Sequence, residues 1–497
     1  MTTPEPELPP TADMVPVVPF PPLVDEMLGE GERPSLHVRL FGSRQFFRLW
    51  IAQVVSSLGD WLGFLAITIL AANVGGGAGG AAVGLVMSAR IIPGFFLSPV
   101  AGVMIDRWDR KKIMVICDLG RAGVIICLPF VKSVGGLVLA SFVLEIGTLM
   151  WSPAKEATVP NLVPTDRLTS ANSLSLAAAY GTFPVAAVLF ALLAQLAKAL
   201  GGFDALGFFS TDQEALAFYV DGFTFVLSAV LISSLTLSGS DRRGRPKEKR
   251  EDGDKRIDFA QTFRELKEGW HFIFVNPVVR SVNLGLATGL IGAGMVVPLG
   301  SIFSRDVLGA GAAGYGVFIT ALGFGVAAGV LLLSVTQKRL PKVQIFELSL
   351  FVAGGSMIFA ASMSSLSLAV IGVAVLGICG GSVYVVGFTL LHENVDDELR
   401  GRIFSALYTL VRLCLLVAFA LGPFLSEALN NVVVRVLNDC RPAPSGTICS
   451  VNFPGGATMA IPGVRVTLWL AGVIILVAGL VAFRSLRAGR RASAAPQ

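Results

Sequence analysis

Long apolar runs recur along this chain of 497 residues, and they constrain its fold more than any other feature. A membrane-spanning helix needs about 20 predominantly apolar residues, and twelve such runs can be placed along the sequence. Only 15% of the residues are charged, against about a quarter in a soluble domain. The chain therefore lacks the residues that build a water-facing surface, and the sequence predicts an all-α polytopic membrane protein.

The breaks between the apolar runs set the boundaries of the predicted spans. Glycine, proline and basic clusters separate most neighbouring runs, and the long run 344–391 divides at Ser364-Ser365. We predict twelve spans, numbered 1–12 in chain order, at residues 46–73, 81–104, 112–132, 136–152, 170–198, 213–237, 277–303, 312–336, 344–364, 366–391, 403–429 and 463–485.

Basic residues are concentrated in alternate connections between the spans. Because cytoplasmic loops carry an excess of Lys and Arg, this pattern predicts a multi-pass membrane protein with both termini in the cytoplasm. Cytoplasmic termini require an even number of spans, which agrees with twelve. The basic connections lie near residues 107–112, 155–167, 241–256, 338–342, 400–402 and 484–491, whereas the others are nearly bare, with lone residues such as Lys132, Lys198 and Arg305.

The longest polar connection divides the spans into two sets of six. Two equivalent connections, residues 163–174 and 395–407, share a valine, acidic residues, a basic residue and a return into an apolar helix, which suggests a parallel repeat. The predicted domains are a disordered cytoplasmic tail (1–43), an N-terminal six-helix bundle (44–237), a cytoplasmic linker with an amphipathic helix (238–276), a C-terminal six-helix bundle (277–487) and a cytoplasmic tail (488–497).

The connection between spans 2 and 3 carries the pattern G-x-x-x-D-R-x-x-R-K at residues 102–111. An acidic residue here can accept N–H groups from a facing helix N-terminus, where the helix dipole favours an anion. The pattern resembles the signature loop of the major facilitator superfamily. The similarity extends to the branch that holds macrolide-efflux and enterobactin-exporter proteins, and is carried by residues 47–66, 89–112, 152–164 and 398–407.

The resemblance implies the major facilitator fold and a cytoplasmic latch between its halves. In that latch, Asp106 and Arg110 join the halves by contacting the start of span 11. The motif residues concerned are Gly102, Asp106, Arg107, Arg110 and Lys111, with Arg400, Gly401 and Arg402 as the facing group. Antiporters of the superfamily usually carry a Gly-Pro motif in span 5; here residues 180–184 keep one glycine and a separated proline, and Gly422-Pro423 occurs in span 11 instead.

The resemblance also implies a secondary transporter of the bacterial inner membrane that exports amphipathic small molecules of drug or macrolide type by alternating access. A siderophore exporter and a lysophospholipid flippase are alternatives on the same fold, and a non-transporting scaffold or receptor is the alternative from another class. No G-x-x-x-x-G-K-[ST] motif is present, so uphill transport would draw on an ion gradient, and protons are the predicted coupling ion. The predicted partners are the substrate, protons and membrane lipids, with no nucleic acid, and the predicted state is a monomer.

Placing an ionisable side chain inside a membrane span costs free energy, so such residues indicate a functional role. Asp118 and Arg121 lie three residues apart in span 3 and are expected to pair with each other, while Arg90 is a candidate partner for Asp60. Glu145 has no basic neighbour one helical turn away, so it is the first candidate for reversible protonation. The full set of candidates for transport and proton coupling is Asp60, Arg90, Glu145, Asp221 and Arg412.

Other chemistry is not predicted. His392-Glu393 begins like a zinc-binding helix, but residue 396 is aspartate where the second histidine would stand. We therefore expect no metal, no cofactor and no enzymatic activity. Cys440 and Cys449 lie in the predicted external connection with turn-forming residues between them, and because oxidising conditions allow a bond there, we predict a disulfide.

Overall fold

The computed structural model describes residues 41–164, 167–201, 213–236, 276–336, 341–395, 397–437, 440–443, 446–452 and 458–493. The N-terminal half contains six spans built from α-helices and short 3₁₀ turns. Span 5 is broken into two helices at Gly181, a break that hydropathy did not predict. The spans are Arg44–Gly75, Gly79–Arg107, Arg110–Cys127, Val134–Thr158, the pair Leu168–Tyr180 and Thr182–Leu200, and Ala215–Ser233.

The C-terminal half repeats the six-span plan with two further interruptions. Span 7 breaks at Met295, and span 11 contains a π-helical turn, Val417–Leu421. The division at Ser364-Ser365 is confirmed, since span 9 ends just before it and span 10 begins just after it. The spans are Pro277–Gly294 with Val296–Asp306, Gly311–Thr336, Lys342–Ser362, Leu366–Glu393, Asp397–Leu416 continuing as Gly422–Val436, and Gly463–Ser493.

Twelve spans result, as the sequence predicts. By length and apolar composition, 11 described segments can cross a membrane, and the first of these, Arg44–Leu97, contains both span 1 and span 2. The chain reverses between them at Gly76, which has φ +52° and so adopts a conformation that favours glycine. The two spans pack side by side, and the absence of a side chain at Gly75 lets the Cβ of Ala82 approach its backbone.

Polar side chains begin several of the helices. Ser43 accepts a hydrogen bond from the amide of Phe46 at 3.0 Å, and Asn276 accepts from the amides of Val278 and Val279. Such caps satisfy amide groups that have no partner in the first helical turn. This matters more in a membrane, where lipid offers those amides no hydrogen-bond acceptor.

Glycines allow spans 8 and 10 of the C-terminal half to approach each other closely. A Cβ added at Gly329 would lie 2.1 Å from the carbonyl oxygen of Ile378, and one at Gly381 would lie 2.3 Å from that of Val326. Gly325 and Gly377 repeat the arrangement one turn away. Two Gly-x-x-x-Gly surfaces therefore face each other, which is how small residues let membrane helices approach.

Three short strands lie between spans 11 and 12: β1, Cys440–Ala443; β2, Gly446–Asn452; and β3, Thr458–Ala460. They form an antiparallel sheet in which Cys440 is opposite Cys449, and the two sulfur atoms are bonded at 2.04 Å. Strand β2 contacts the turn Gly76–Ala78 between spans 1 and 2. We call this end of the bundle the hairpin face, and the opposite end, where Arg110 lies, the Arg110 face.

The two halves contact each other through the part of the bundle that runs from its middle to the hairpin face. A Cβ at Gly84 in span 2 would lie 2.7 Å from the carbonyl oxygen of Ala420 in span 11. On the other side, a Cβ at Gly316 in span 8 would lie 2.7 Å from the Cβ of Ala191 in span 5. Small residues thus close the bundle towards the hairpin face by direct backbone contact.

A polar bridge joins the halves at the same level. Arg305, at the end of span 7, donates from Nη1 to Oδ1 of Asn73 in span 1 at 3.1 Å. Asn73 in turn donates from Nδ2 to Oε1 of Glu214, at the start of span 6, at 3.2 Å. Arg305 of the C-terminal half is therefore bound directly to Asn73 of the N-terminal half and is linked through it to Glu214.

We predict that Cys440 and Cys449 are bonded to each other in the purified protein, because strand pairing places them directly opposite. Peptide mapping by mass spectrometry without reduction should show the two cysteines in one linked species, and alkylation should modify them only after reduction. Exposed Cys127 is the internal control, since it is a free cysteine and should react under both conditions. Alkylation of both Cys440 and Cys449 before reduction would contradict the prediction.

Candidate functional site

One arginine in the N-terminal half binds two carboxylates. The Nη1 atom of Arg121 in span 3 lies 3.1 Å from Oδ2 of Asp60 in span 1. Its Nη2 atom binds Oδ1 of Asp118, one turn earlier on the same helix. The Arg121 side chain is 2% exposed, Asp118 is 0% exposed and Asp60 is 31% exposed. A buried guanidinium needs such partners, because removal from water is costly for any charge.

Further groups from spans 4 and 6 hold this triad, by which we mean Asp60, Asp118 and Arg121. The second oxygen of Asp118 accepts hydrogen bonds from Ser228 Oγ at 2.8 Å and from Trp151 Nε1 at 3.3 Å. The guanidinium also lies over the ring of Phe225, 4.2 Å from its centroid. Four spans therefore converge on one buried charge cluster.

Of the two ion pairs predicted from the sequence, the structure contains one and replaces the other. The expected partnership of Arg90 with Asp60 is wrong: Asp60 binds Arg121, and Arg90 lies over the ring of Phe64, 5.6 Å from its centroid. The expected pair of Asp118 with Arg121 is present. The difference has a physical cause, since spacing along one helix fixes local pairs whereas a pair between helices depends on how each helix is rotated about its axis.

Four charged side chains from both halves lie close enough to influence one another electrostatically, and we call the region between them the central gap: Asp60, Arg90 and Glu145 from the N-terminal half, and Arg412 from span 11. Glu145 experiences the fields of Arg90, Asp60, Arg121 and Arg412. Within the described residues it has no ion pair within 4 Å and no hydrogen bond. Glu145 and Arg90 are half-buried and Arg412 is exposed, so none of these three charges is sealed inside the packed interior of a half.

Aromatic side chains close the central gap towards the hairpin face. Phe64, one turn beyond Asp60, lies 6.0 Å from Phe419 of the other half, measured between ring centroids. Trp61 stacks edge-on against Phe183 at 4.8 Å and donates from Nε1 to the carbonyl of Ala179 at 2.9 Å. Phe419 belongs to the π-helical turn of span 11, and such turns occur frequently at functional sites.

Sequence reasoning missed this aromatic group, and it missed the groups that bind Asp118. Phenylalanine is too common in lipid-facing positions for Phe64 or Phe419 to be singled out by composition. The sequence Gly422-Pro423 directly follows the π-helical turn that contains Phe419. This helix-breaking pair was therefore the one sequence feature that could have drawn attention to Phe419. Nothing in the sequence distinguishes Ser228 from the other serines in the spans.

Asp221, the remaining acidic candidate, lies outside the central gap. It is 0% exposed and is buried within the N-terminal half, where spans 1 and 6 meet. The structure therefore separates the candidates into a half-exposed group around the gap and one fully buried carboxyl behind it.

The described residues of the predicted latch motif bind within their own half. Arg110 donates from Nη1 to the carbonyl of Ala157 at 2.7 Å, and Lys111 donates from Nζ to the carbonyl of Leu235 at 2.7 Å. These carbonyls end spans 4 and 6, where the helix dipole attracts a cation. Arg110 thus has a partner in its own half, and the expected contact with the start of span 11 involves side chains outside the described residues. The remaining motif side chains lie outside the described residues: Gly102, Asp106, Arg107, Arg400, Gly401 and Arg402.

In the part of the chain that the structure describes, no group of three or more His, Cys, Asp or Glu side chains is placed to hold a metal ion. The described site is therefore a set of charges and aromatic rings facing a gap between two helical halves. Such an arrangement can bind an amphipathic molecule through ring faces and charges together.

We predict that Asp118→Asn destabilises the protein more than Asp60→Asn. Either change leaves Arg121 with one carboxylate, and removing one partner of a buried ion pair costs about 3–5 kcal/mol. Because Asp60 is half-exposed, water can solvate the charge left on Arg121, which reduces the destabilisation caused by Asp60→Asn. Thermal unfolding in detergent, followed by the fraction of monodisperse protein, should rank wild type above Asp60→Asn and Asp60→Asn above Asp118→Asn. Glu145→Gln, which removes a carboxylate without an ion pair, is the control. An Asp118→Asn protein as stable as wild type would refute the triad's structural role.

Comparisons with known proteins agree with this architecture. A protein of Bacillus subtilis (strain 168), the uncharacterized transporter YfiS, is 25% identical over 408 residues, which cover 79% of this chain and 89% of that protein. Macrolide efflux protein A of Streptococcus pyogenes is 23% identical over 401 residues, covering 78% of this chain and 90% of that protein. Both relatives therefore align with most of the two-half bundle.

Solved structures share the fold. A bacterial homologue of the human lysosomal transporter Spinster, in an inward-facing and unoccupied conformation, matches with a TM-score of 0.64 at 16% identity. The match covers 90% of this chain and 98% of that chain. The family model of the Major Facilitator Superfamily matches residues 49–431, which is well over half of the sequence. The chain belongs to the Major Facilitator Superfamily of membrane transporters.

Proposed function

We propose that this transporter exports amphipathic small molecules of drug or macrolide type from the bacterial cytoplasm in exchange for protons. The observation that carries the proposal is the central gap, where charged residues of both halves lie beside the Phe64 and Phe419 rings. Similarity to macrolide efflux protein A supports the substrate class. The two halves of one chain form the whole pathway, so we propose that the monomer transports.

The orientation we propose places the hairpin face outside the cell. The disulfide between Cys440 and Cys449 lies on that face, and disulfides persist in oxidising environments outside the cytoplasm. The Arg110 face carries the basic connections, which the positive-inside rule assigns to the cytoplasm. In this orientation the described contacts between the halves close the external side, as an exporter requires while it takes up substrate from the cytoplasm.

Alternating access requires a second conformation, closed towards the cytoplasm. We propose that the latch motif at residues 102–111 then reaches the start of span 11 at residues 400–402. Arg110 and Lys111 now bind carbonyls of their own half, and rocking of the halves would exchange those partners for groups across the interface. Rocking of two six-helix halves around a midplane site is the general mechanism of such repeats.

Glu145 is the proton carrier in this proposal. It lies at the central gap, where protons and substrate can both reach it, and it has no ion pair within 4 Å among the described residues. Asp60 is less suited, since its carboxylate is bound to Arg121. A carboxyl that exchanges a proton with the solvent cannot be engaged permanently in a structural ion pair, so the geometry favours Glu145 over Asp60.

We predict that Glu145→Gln abolishes pH-gradient-driven transport and retains substrate binding, because glutamine keeps the shape of the side chain and loses the titrating proton. Proteoliposomes with an imposed proton gradient should be assayed with a macrolide, a siderophore and a lysophospholipid, which separates the three substrate classes. Counterflow without a pH gradient measures retained exchange. Glu156→Gln, an exposed glutamate near the end of the same helix, is the matched control.

The expected outcome is macrolide transport by wild type and Glu156→Gln, and counterflow alone by Glu145→Gln. A Glu145→Gln protein that transports at the wild-type rate under the gradient would rule out Glu145 as the carrier. Transport of the siderophore or the lysophospholipid in place of the macrolide would replace the proposed substrate class.

A further inference from the structure

Asp221 is a fully buried carboxyl without a hydrogen-bonding partner. The side chain is 0% exposed, and neither Oδ1 nor Oδ2 has a hydrogen-bond partner within the described structure. Aspartate is almost never fully buried unless it is paired. The nearby hydroxyl of Thr224 donates to the main-chain carbonyl of Asp221 at 2.8 Å, and while it does so it cannot donate to the carboxyl.

Two glycines of span 1 shape the site around this carboxyl. A Cβ at Gly59 would lie 2.3 Å from Oδ1 of Asp221, and a Cβ at Gly63 would lie 2.2 Å from Oδ2. Each oxygen thus rests against the backbone of one glycine, four residues apart on the same helix face. A side chain at either position would displace the carboxyl, and one at Gly59 would also meet the Thr224 hydroxyl at 2.0 Å. The sequence Gly59-x-x-x-Gly63 therefore provides the room that Asp221 occupies.

The charged groups around Asp221 are already engaged with each other. Asp60 of span 1, Arg121 of span 3 and Arg90 of span 2 are the charged residues whose fields reach it. Arg121 binds Asp60 and Asp118, and Arg90 lies over Phe64. If Asp221 were ionised, three carboxylates would share the single guanidinium of Arg121, and Asp221 would face Asp60 as a like charge.

We propose that Asp221 is a proton-binding site, and that its carboxyl is neutral in this conformation of the transporter. Taking an isolated carboxylate out of water is far more costly than taking out the neutral acid. Among the described residues, neither carboxyl oxygen of Asp221 has an ion pair within 4 Å or a hydrogen bond that would offset that cost. The ligand is a proton from water. Its release converts the neutral acid to a carboxylate and returns the proton to water.

Release requires that span 1 separate from span 6. The carboxyl is enclosed by Gly59 and Gly63, so water reaches it only when that helix contact opens. The ionised Asp221 would then compete with Asp60 and Asp118 for Arg121. Protonation therefore stabilises the packing of span 1 against span 6 described here, which occurs in a conformation whose halves are closed at the hairpin face. The link between this proton and substrate transport rests on the proposed function, whereas the neutral state of Asp221 does not.

Infrared spectroscopy tests the site directly. Protein containing ¹³C-labelled aspartate should show the carbonyl stretching band of a protonated aspartic acid at neutral pH, where exposed aspartates are ionised. The band should disappear in Asp221→Asn and persist in Asp60→Asn, the matched control on the facing helix. Absence of the band from the wild-type protein would overturn the proposal even if Asp221→Asn failed to fold. Persistence of the band in a folded Asp221→Asn protein would overturn it as well.

Transport assays test the consequence separately. Asparagine mimics the neutral acid, so Asp221→Asn should fold as wild type does, keep counterflow and lose the dependence of transport on pH. A wild-type pH dependence in Asp221→Asn, with the infrared band confirmed, would remove the link to coupling and leave the proton site in place. A wild-type protein that exports none of the tested substrates would refute the proposed function. The infrared result would still show whether Asp221 binds a proton.

Discussion

The buried guanidinium of Arg121 is the interaction on which the N-terminal half depends. It draws Asp60 from span 1 and Asp118 from its own span into one cluster, and Ser228 and Trp151 complete the shell. A charge so far from water fixes the rotation of four helices, because each must present its polar group to the same point. The cluster thereby determines which charged residues remain beside the central gap. Among the described residues, Arg90 and Glu145 lie there without forming an ion pair.

Glycine contacts supply the second constraint, and they act differently at different places. Between spans 8 and 10 they hold one half together, whereas at Gly84 and Gly316 they join the two halves near the hairpin face. At Gly59 and Gly63 they enclose a carboxyl. Helices that meet through glycines expose little apolar side-chain surface when they separate. Small-residue interfaces therefore suit a protein whose halves and helices must part and rejoin during a transport cycle.

Much of the fold could be predicted from the sequence, because hydropathy and the distribution of basic residues report directly on spans. The division at Ser364-Ser365 and the local pair Asp118–Arg121 depend only on neighbours in the chain. The breaks at Gly181 and Met295 were missed, since hydropathy does not change there. The partner of Asp60 was predicted wrongly, because an interhelical pair depends on helix rotation. The predicted amphipathic helix at 259–274 lies outside the described residues.

We propose that protonation of Asp221 in the N-terminal half favours the conformation in which the two halves are closed at the hairpin face. The most direct measurement is the distance between spin labels at Ala78→Cys and Asn431→Cys, exposed positions on opposite halves, in a background without Cys117 and Cys127. We expect acidification to shift the distance distribution towards a short component and alkaline pH to populate a longer one, with Asp221→Asn fixed at the short distance. A distribution in the wild-type protein that does not change with pH would contradict the account.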